Sequence, residues 1–111
     1  MIILGIDPGF ERVGFGVVRR THTEPQLIDY GCIKTAKTLP FSKRLAEIAR
    51  DAETLVREHR PDAVVCEEIF FSKNVKTAMK VAHARGVLLK VFEEAGIPIY
   101  ELNPGHVKMA I

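Results

Sequence analysis

Acidic residues stand at the ends of two apolar runs, where carboxylates could do chemistry. Asp7 ends the run that opens the chain and is followed by Pro8-Gly9, and Glu67 and Glu68 lie near the end of a second run over 62–69. Carboxylates brought close together repel each other unless a cation lies between them. Mg²⁺ and Mn²⁺ prefer such oxygen ligands together with phosphate oxygens. The pattern predicts a divalent metal site, with solvated strand-end acids as the alternative.

The stretch between Ile69 and Phe92 carries only positive charges. They are Lys73, Lys76, Lys80, Arg85 and Lys90. Beside an acidic metal site, such a block is typical of a protein that handles phosphodiesters, because the cations neutralise a nucleic-acid backbone. A solvated helix face is the alternative. Phe70 and Phe71 directly follow the glutamates; one of them could stack on an unpaired base, and the core is the alternative for each.

Small residues recur in the same stretch at every fourth position, at Ala78, Ala82 and Gly86. Small residues at this spacing let another backbone approach closely. The stretch is also apolar nearly all round from Val81 to Phe92. We therefore expect a second buried helix face and a two-fold dimer built on it, with a fully internal helix as the alternative.

The elements that position these residues follow from hydrophobic periodicity. Apolar runs bounded by turn residues predict strands over 1–7, 13–20, 26–34, 62–69 and 97–102. Helical spacing predicts helices over 41–60 and 74–95, with Gly96 as a cap, and a third helix that begins at Asn103-Pro104. The first three strands should form an antiparallel meander, and a helical crossover should bring the fourth parallel to the first. In this α/β fold the acids meet at one sheet edge.

Length and composition exclude several classes of protein. The 111 residues carry 16 Lys and Arg against 14 Asp and Glu and are 47% hydrophobic, which predicts one globular domain rather than a disordered chain. Charges interrupt every apolar stretch before the roughly 18 residues of a membrane span, and the first residues do not follow the pattern of a signal peptide, so we expect neither a span nor export. Neither a G-x-G-x-x-G nor a Walker pattern occurs. Cys32 and Cys66 form no C-x-x-C and are predicted to be two buried thiols of a reducing cytosol.

Three motifs together resemble the RuvC family of Holliday-junction resolvases. They are ILGIDPG at 3–9 followed by GFGV at 14–17, EEIFFSKN at 67–74, and AHARGV at 82–87. Their order and spacing match over essentially the whole chain. The first motif alone is shared with other ribonuclease-H-like and actin-like ATPase folds, so the resemblance depends on all three.

The resemblance implies a ribonuclease-H-like fold with a five-stranded mixed sheet flanked by helices. It also implies a homodimeric endonuclease of the bacterial cytoplasm that makes paired, symmetric nicks in four-way DNA junctions. Mg²⁺ or Mn²⁺ would be the cofactor, with two ions in the complete protein. The implied partners are the four-way junction, a second copy of the chain and the RuvAB branch-migration complex, with no membrane involved.

The resemblance also assigns roles to residues. Asp7 and Glu67 match the family's metal-binding and catalytic carboxylates, Glu67 being favoured over Glu68 by its distance from Phe70. Phe70 matches an aromatic that inserts near the junction crossover, and Lys108 falls where the family carries a lysine important for cleavage. The predicted DNA-binding set is Phe70, Lys73, Asn74, Lys76, Lys80 and Arg85.

One departure from the family pattern concerns the C-terminal side of the chain. The family completes its acidic cluster with two further metal-binding side chains, which lie beyond residue 111. We therefore expect residues 1–111 to form a single ribonuclease-H-like domain that lacks the C-terminal helix or helices, and the 111-residue chain itself to be inactive or nearly so. Two other functions stay open: an actin-like or sugar-kinase-type ATP-binding domain, and a non-catalytic DNA-binding dimerisation module.

Overall fold

The computed structural model describes residues 1–68 and 75–102. Its elements are β1 (Ile2–Asp7), β2 (Arg12–Arg19), β3 (Gln26–Lys34), α1 (Phe41–His59), β4 (Ala63–Glu67), α2 (Val75–Glu94) and β5 (Ile99–Leu102). The predicted α/β class is confirmed. The predicted third helix, which begins at Asn103-Pro104, lies outside the described residues.

The five strands form one mixed sheet in the order β3-β2-β1-β4-β5. β1 lies at its centre, antiparallel to β2 and parallel to β4. β2 pairs antiparallel with β3, and β4 pairs parallel with β5. The antiparallel meander and the parallel return through α1 are therefore confirmed. A parallel return needs a long connection, and α1 supplies it.

Both helices contribute to one hydrophobic core with the strand residues of a single sheet face. In β1, Leu4 and Ile6 are buried, whereas the intervening Gly5 is less so and Asp7 is exposed. This period of two is expected for a sheet with one covered face. The fully buried members of the core are Leu4, Val13, Val17, Ile48, Ala52, Val64, Cys66, Ala84, Leu88 and Phe92.

The opposite face of the sheet is open within the described part of the chain. Tyr30 is 74% exposed and Tyr100 is 58% exposed. Cys32 pairs with Gly14 on this side and is exposed, whereas Cys66 is buried. The prediction of two buried thiols is therefore wrong for Cys32, because alternation along β3 turns it away from the helices.

Each helix ends in a left-handed residue. Arg60 has a φ of 45°, and its N–H donates to the Val56 carbonyl over 2.9 Å, so that α1 ends one residue earlier than predicted. Gly96 has a φ of 73°, and the following Ile97 N–H donates to the Phe92 carbonyl over 3.1 Å, which confirms the predicted glycine cap. Among the described residues, neither helix is long and apolar enough to cross a membrane.

The turn after β1 predicts a large effect of one methyl group. A Cβ atom on Gly9 would lie 2.1 Å from the Arg12 carbonyl oxygen, whereas one on Gly16 would meet nothing within 4 Å. Because backbone must move to admit it, we expect Gly9→Ala to lower the free energy of unfolding by about 1–3 kcal/mol. The matched Gly16→Ala variant should change it by less than about 0.5 kcal/mol. Urea titrations of both variants measure the difference, and equal losses would contradict the assigned turn geometry.

Candidate active site

The parallel pairing of β1 and β4 brings two carboxylates to one sheet edge. Ile6 is the partner of Cys66 in the ladder, so the next residues, Asp7 and Glu67, end their strands side by side. Alternation places both on the face opposite the buried Ile6 and Cys66. Residues that are 60 positions apart in the sequence therefore share one site.

The surroundings of Glu67 disfavour its ionised form. Partial burial raises the pKa of Glu67 above its ordinary value, and the charge of Asp7 and a side-chain hydrogen bond with Asp7 raise it further. A neighbouring negative charge disfavours the ionised form of a carboxyl group. Glu68 is exposed, and its backbone N–H donates to the Leu102 carbonyl over 2.8 Å. The structure thus brings Glu67, rather than Glu68, to Asp7.

Asp7 and Glu67 line an open groove of about 600 Å³ on the uncovered face of the sheet. Gly5, Gly14 and Gly16 contribute to its lining. A Cβ atom on Gly14 would lie 3.4 Å from the Asp7 Cβ and 3.9 Å from its Oδ2, so the glycine leaves the carboxylate room. The register of β1 with β2 makes Gly14 the partner of Asp7.

Two of the predicted DNA-binding lysines lie exposed on α2. They are Lys76 and Lys80. The Lys80 Nζ lies 5.4 Å from the ring centroid of Phe10, which is buried in the turn after β1. The Arg44 guanidinium lies 4.0 Å from the same centroid. The basic part of α2 is therefore next to the turn that follows Asp7.

Arg85, predicted among the DNA-binding residues, is turned inward. Its side chain is only 15% exposed, and its terminal nitrogen lies 3.2 Å from the Glu101 carboxylate. Its Nε donates to the Glu67 backbone carbonyl over 3.1 Å. Burial raises the pKa of the nearby Cys66 thiol, and the Arg85 charge partly offsets the rise. The position of Arg85 therefore gives no support to a direct DNA contact, and the sequence had not singled out Glu101.

The small residues of α2 do not share one face. Ala78 is 8% exposed and belongs to the buried side, whereas Ala82 and Gly86 are exposed. A step of four residues advances by about 40° beyond a full turn, so the three residues drift around the helix. Val75 and Met79 join Ala82 and Gly86 in an exposed apolar stripe.

Four predicted site residues lie outside the described part of the chain. They are Phe70, Lys73, Asn74 and Lys108. Within residues 1–68 and 75–102, no group of three or more His, Cys, Asp or Glu side chains could hold a metal ion. Asp7 and Glu67 therefore form a two-carboxylate site that needs further ligands to hold two ions.

Comparison with known proteins identifies the family. The family model described as "Crossover junction endodeoxyribonuclease RuvC" matches residues 3–111. The RuvC proteins of Ruminiclostridium cellulolyticum and Petrotoga mobilis are 43% and 44% identical to the chain over 111 residues, all of this chain and 67% and 68% of theirs. T. thermophilus RuvC in complex with Holliday junction substrate superposes with a TM-score of 0.90 at 34% identity, over 99% of this chain and 70% of that one.

These matches favour the nuclease hypothesis over an ATP-binding domain. They cover nearly the whole chain, which spans about two thirds of the length of the curated relatives. They also support the ribonuclease-H-like architecture, since the solved RuvC structure superposes on this five-stranded mixed sheet over 99% of the chain. The chain belongs to the RuvC family of crossover junction endodeoxyribonucleases.

Proposed function

We propose that Asp7 and Glu67 are the metal-binding carboxylates with which this resolvase cleaves DNA, using Mg²⁺ or Mn²⁺. The observation that carries the proposal is the side-by-side position of the two carboxylates at the paired ends of β1 and β4. Partial burial and the neighbouring Asp7 raise the pKa of Glu67 there. Two adjacent carboxylates in an open groove fit a hard divalent cation, because the cation removes their repulsion and accepts oxygen ligands. A second ion would need ligands from outside the described residues.

Asp7 and Glu67 share one role, which follows from their position at the ends of paired strands. Asp7 and Glu67 lie at strand ends that the sheet holds rigid, so they present their oxygens in a constant arrangement to the cation and the scissile phosphate. When bound, the cation neutralises charge on the phosphate and activates the attacking water. Gly14 keeps the Asp7 carboxylate accessible from the groove. Paired, symmetric nicking then requires two such sites related by a two-fold axis.

The DNA backbone would lie along the exposed basic residues at the start of α2. Lys76 and Lys80 are exposed, and Lys80 lies near the turn that follows Asp7. Their charges would neutralise phosphates and bring the strand to the acidic edge, where the carboxylates alone would repel it. Phe70, Lys73, Asn74 and Lys108 stay predictions from the family resemblance.

A dimer built on α2 is the assembly that we propose. Val75, Met79, Ala82 and Gly86 form an exposed apolar stripe that a second copy could cover across a two-fold axis. Cooperation with the RuvAB complex and action in the bacterial cytoplasm are further proposals from family membership. The single-domain boundary of 1–111 stays a prediction.

Replacement of either carboxylate should abolish cleavage. In the protein at its full natural length, we expect Asp7→Asn and Glu67→Gln each to reduce Mg²⁺-dependent nicking of a synthetic four-way junction by at least about 100-fold, because the remaining carboxylate cannot hold the cation alone. Glu58→Gln, on the exposed side of α1, serves as the control. Gel shifts without divalent metal should show unchanged junction binding. Undiminished nicking by Asp7→Asn would refute the assignment.

The same substitutions should stabilise the metal-free protein. A raised Glu67 pKa means that the folded state binds more protons than the unfolded state, so stability is lost as the pH rises through that raised pKa. At pH 7 we expect Asp7→Asn to increase the free energy of unfolding by less than about 1 kcal/mol, because solvent screens this open edge. The gain should vanish below the ordinary pKa of glutamate, about 4.3. Thermal melts across pH measure the gain at pH 7 and its loss at low pH. Added Mg²⁺ should stabilise only the parent chain. A gain in stability that does not depend on pH would contradict the proposed repulsion between the two carboxylates.

Loss of one basic residue of α2 should change the salt dependence of DNA binding. We expect Lys76→Ala to weaken junction binding and to reduce the slope of log K against log salt by about one, since each phosphate contact releases about one counterion. The control Arg57→Ala removes an exposed charge from the last turn of α1. Fluorescence anisotropy at several salt concentrations measures the slopes, and equal slopes for both variants would exclude a phosphate contact at Lys76.

A further inference from the structure

Arg85 connects three elements at the active-site edge. It lies on α2, its Nε donates to the Glu67 carbonyl at the end of β4 over 3.1 Å, and its terminal nitrogen lies 3.2 Å from the Glu101 carboxylate on β5. A guanidinium offers five donors in a rigid planar fork, so it can serve two acceptors in fixed directions. A lysine offers a single flexible ammonium and cannot reproduce this arrangement.

The contact with Glu67 falls on the peptide unit that follows its Cα. The carbonyl of this unit accepts the Arg85 Nε–H, and its N–H, which belongs to Glu68, donates to the Leu102 carbonyl over 2.8 Å. Both polar groups of one peptide are therefore held from outside β4. Within the described residues, Glu67 and Leu102 form the last pair of the β4–β5 ladder.

We infer that Arg85 is a positioning residue for the catalytic carboxylate Glu67, rather than a DNA-binding residue. This inference rests on the proposed role of Glu67 in metal binding. A fixed peptide after Glu67 fixes the direction of its side chain toward Asp7, because side chains of a strand follow the backbone. Residues that orient metal ligands contribute about 10- to 100-fold to metal affinity or activity.

Burial separates Arg85 from the lysines of the same helix. Its side chain is 15% exposed and already engaged with two acceptors, whereas Lys76 and Lys80 are exposed. Its contacts with Glu67 and Glu101 direct the guanidinium toward the ends of β4 and β5. Helix α2 thus directs Lys76 and Lys80 outward, where DNA is proposed to bind, and Arg85 inward, toward the proposed metal site.

The test uses the protein at its full natural length and four variants. Arg85→Met removes the guanidinium, Arg85→Lys keeps the charge without the fork, and Glu101→Gln weakens the partner on β5. Arg57→Met is the matched control, since Arg57 hydrogen-bonds only within α1, to Thr54 over 3.2 Å, in the contacts that the structure describes. Mn²⁺ binding to the DNA-free protein is measured by calorimetry, junction affinity by anisotropy without divalent metal, and nicking as a function of Mg²⁺ concentration.

We expect Arg85→Met to weaken Mn²⁺ binding and to raise the Mg²⁺ concentration for half-maximal nicking, each by about 10- to 100-fold. Junction affinity and its salt slope should not change. Arg85→Lys should recover only part of the loss, and Glu101→Gln should show the same defect more weakly. If Arg85→Met unfolds the protein, the Arg85→Lys and Glu101→Gln variants decide by the same measurements.

Two results would overturn the inference. One is a reduced junction affinity with a salt slope lower by about one and an unchanged metal requirement, which is the pattern of a phosphate contact. The other is wild-type metal binding in Arg85→Met while Asp7→Asn abolishes both Mn²⁺ binding and nicking. In the second case the proposed function survives and only the positioning role fails. Undiminished nicking by Asp7→Asn would instead remove the proposed function itself.

Discussion

The parallel pairing of β1 with β4 is the constraint on which the rest of the site depends. It places Asp7 beside Glu67 at the strand ends and forces two carboxylates into contact. The repulsion that results is unfavourable for folding alone, and the hydrophobic core must offset it. The core does so from the helix side, where the residues immediately before both acids, Ile6 and Cys66, are buried. Under the proposed function, a bound cation would offset this repulsion. The energy needed to hold the two carboxylates together therefore favours metal binding at this site.

The sheet has two faces with different roles. The face that packs on α1 and α2 supplies the hydrophobic core, which holds the central strands rigid. The other face carries the groove, with glycines on β1 and β2 that leave the carboxylate of Asp7 unobstructed. A Cβ atom at Gly14 would be in van der Waals contact with Asp7, and a larger side chain there would extend into the groove. These glycines, which have no side chains, therefore help to keep the acids accessible to a large substrate such as DNA.

Helix α2 serves the site through three of its sides. Its buried side packs in the core through residues such as Leu88 and Phe92. Lys76 and Lys80 are exposed near the acidic edge, and Val75, Met79, Ala82 and Gly86 form an exposed apolar stripe. Arg85 links the helix to the end of β4. Polar and apolar residues are therefore not separated into one charged and one apolar face along α2. A change in the packing of α2 would therefore shift Arg85 and the Glu67 carbonyl to which it donates.

Much of the fold and one pair of site residues could be predicted from the sequence. Strand and helix periods, the Gly96 cap and the crossover between β1 and β4 are local or follow from general connection rules, so they predicted that Asp7 would meet Glu67 and Glu68 at one edge. The family resemblance favoured Glu67 of the two. The three spaced motifs likewise indicated the family that the comparisons then identified.

The tertiary structure alone decided which side chains turn inward. Arg85 belongs to a block of lysines in the sequence, yet it is buried against β4 and β5; Cys32 resembles Cys66 in its apolar surroundings, yet it is exposed. Ala78 separates from Ala82 and Gly86 in the same way. Periodicity indicates which residues of one helix or strand share a face. Contacts between segments that are distant in the sequence decide whether another layer packs on that face. The roles of these residues therefore appear only when the sheet and both helices are assembled.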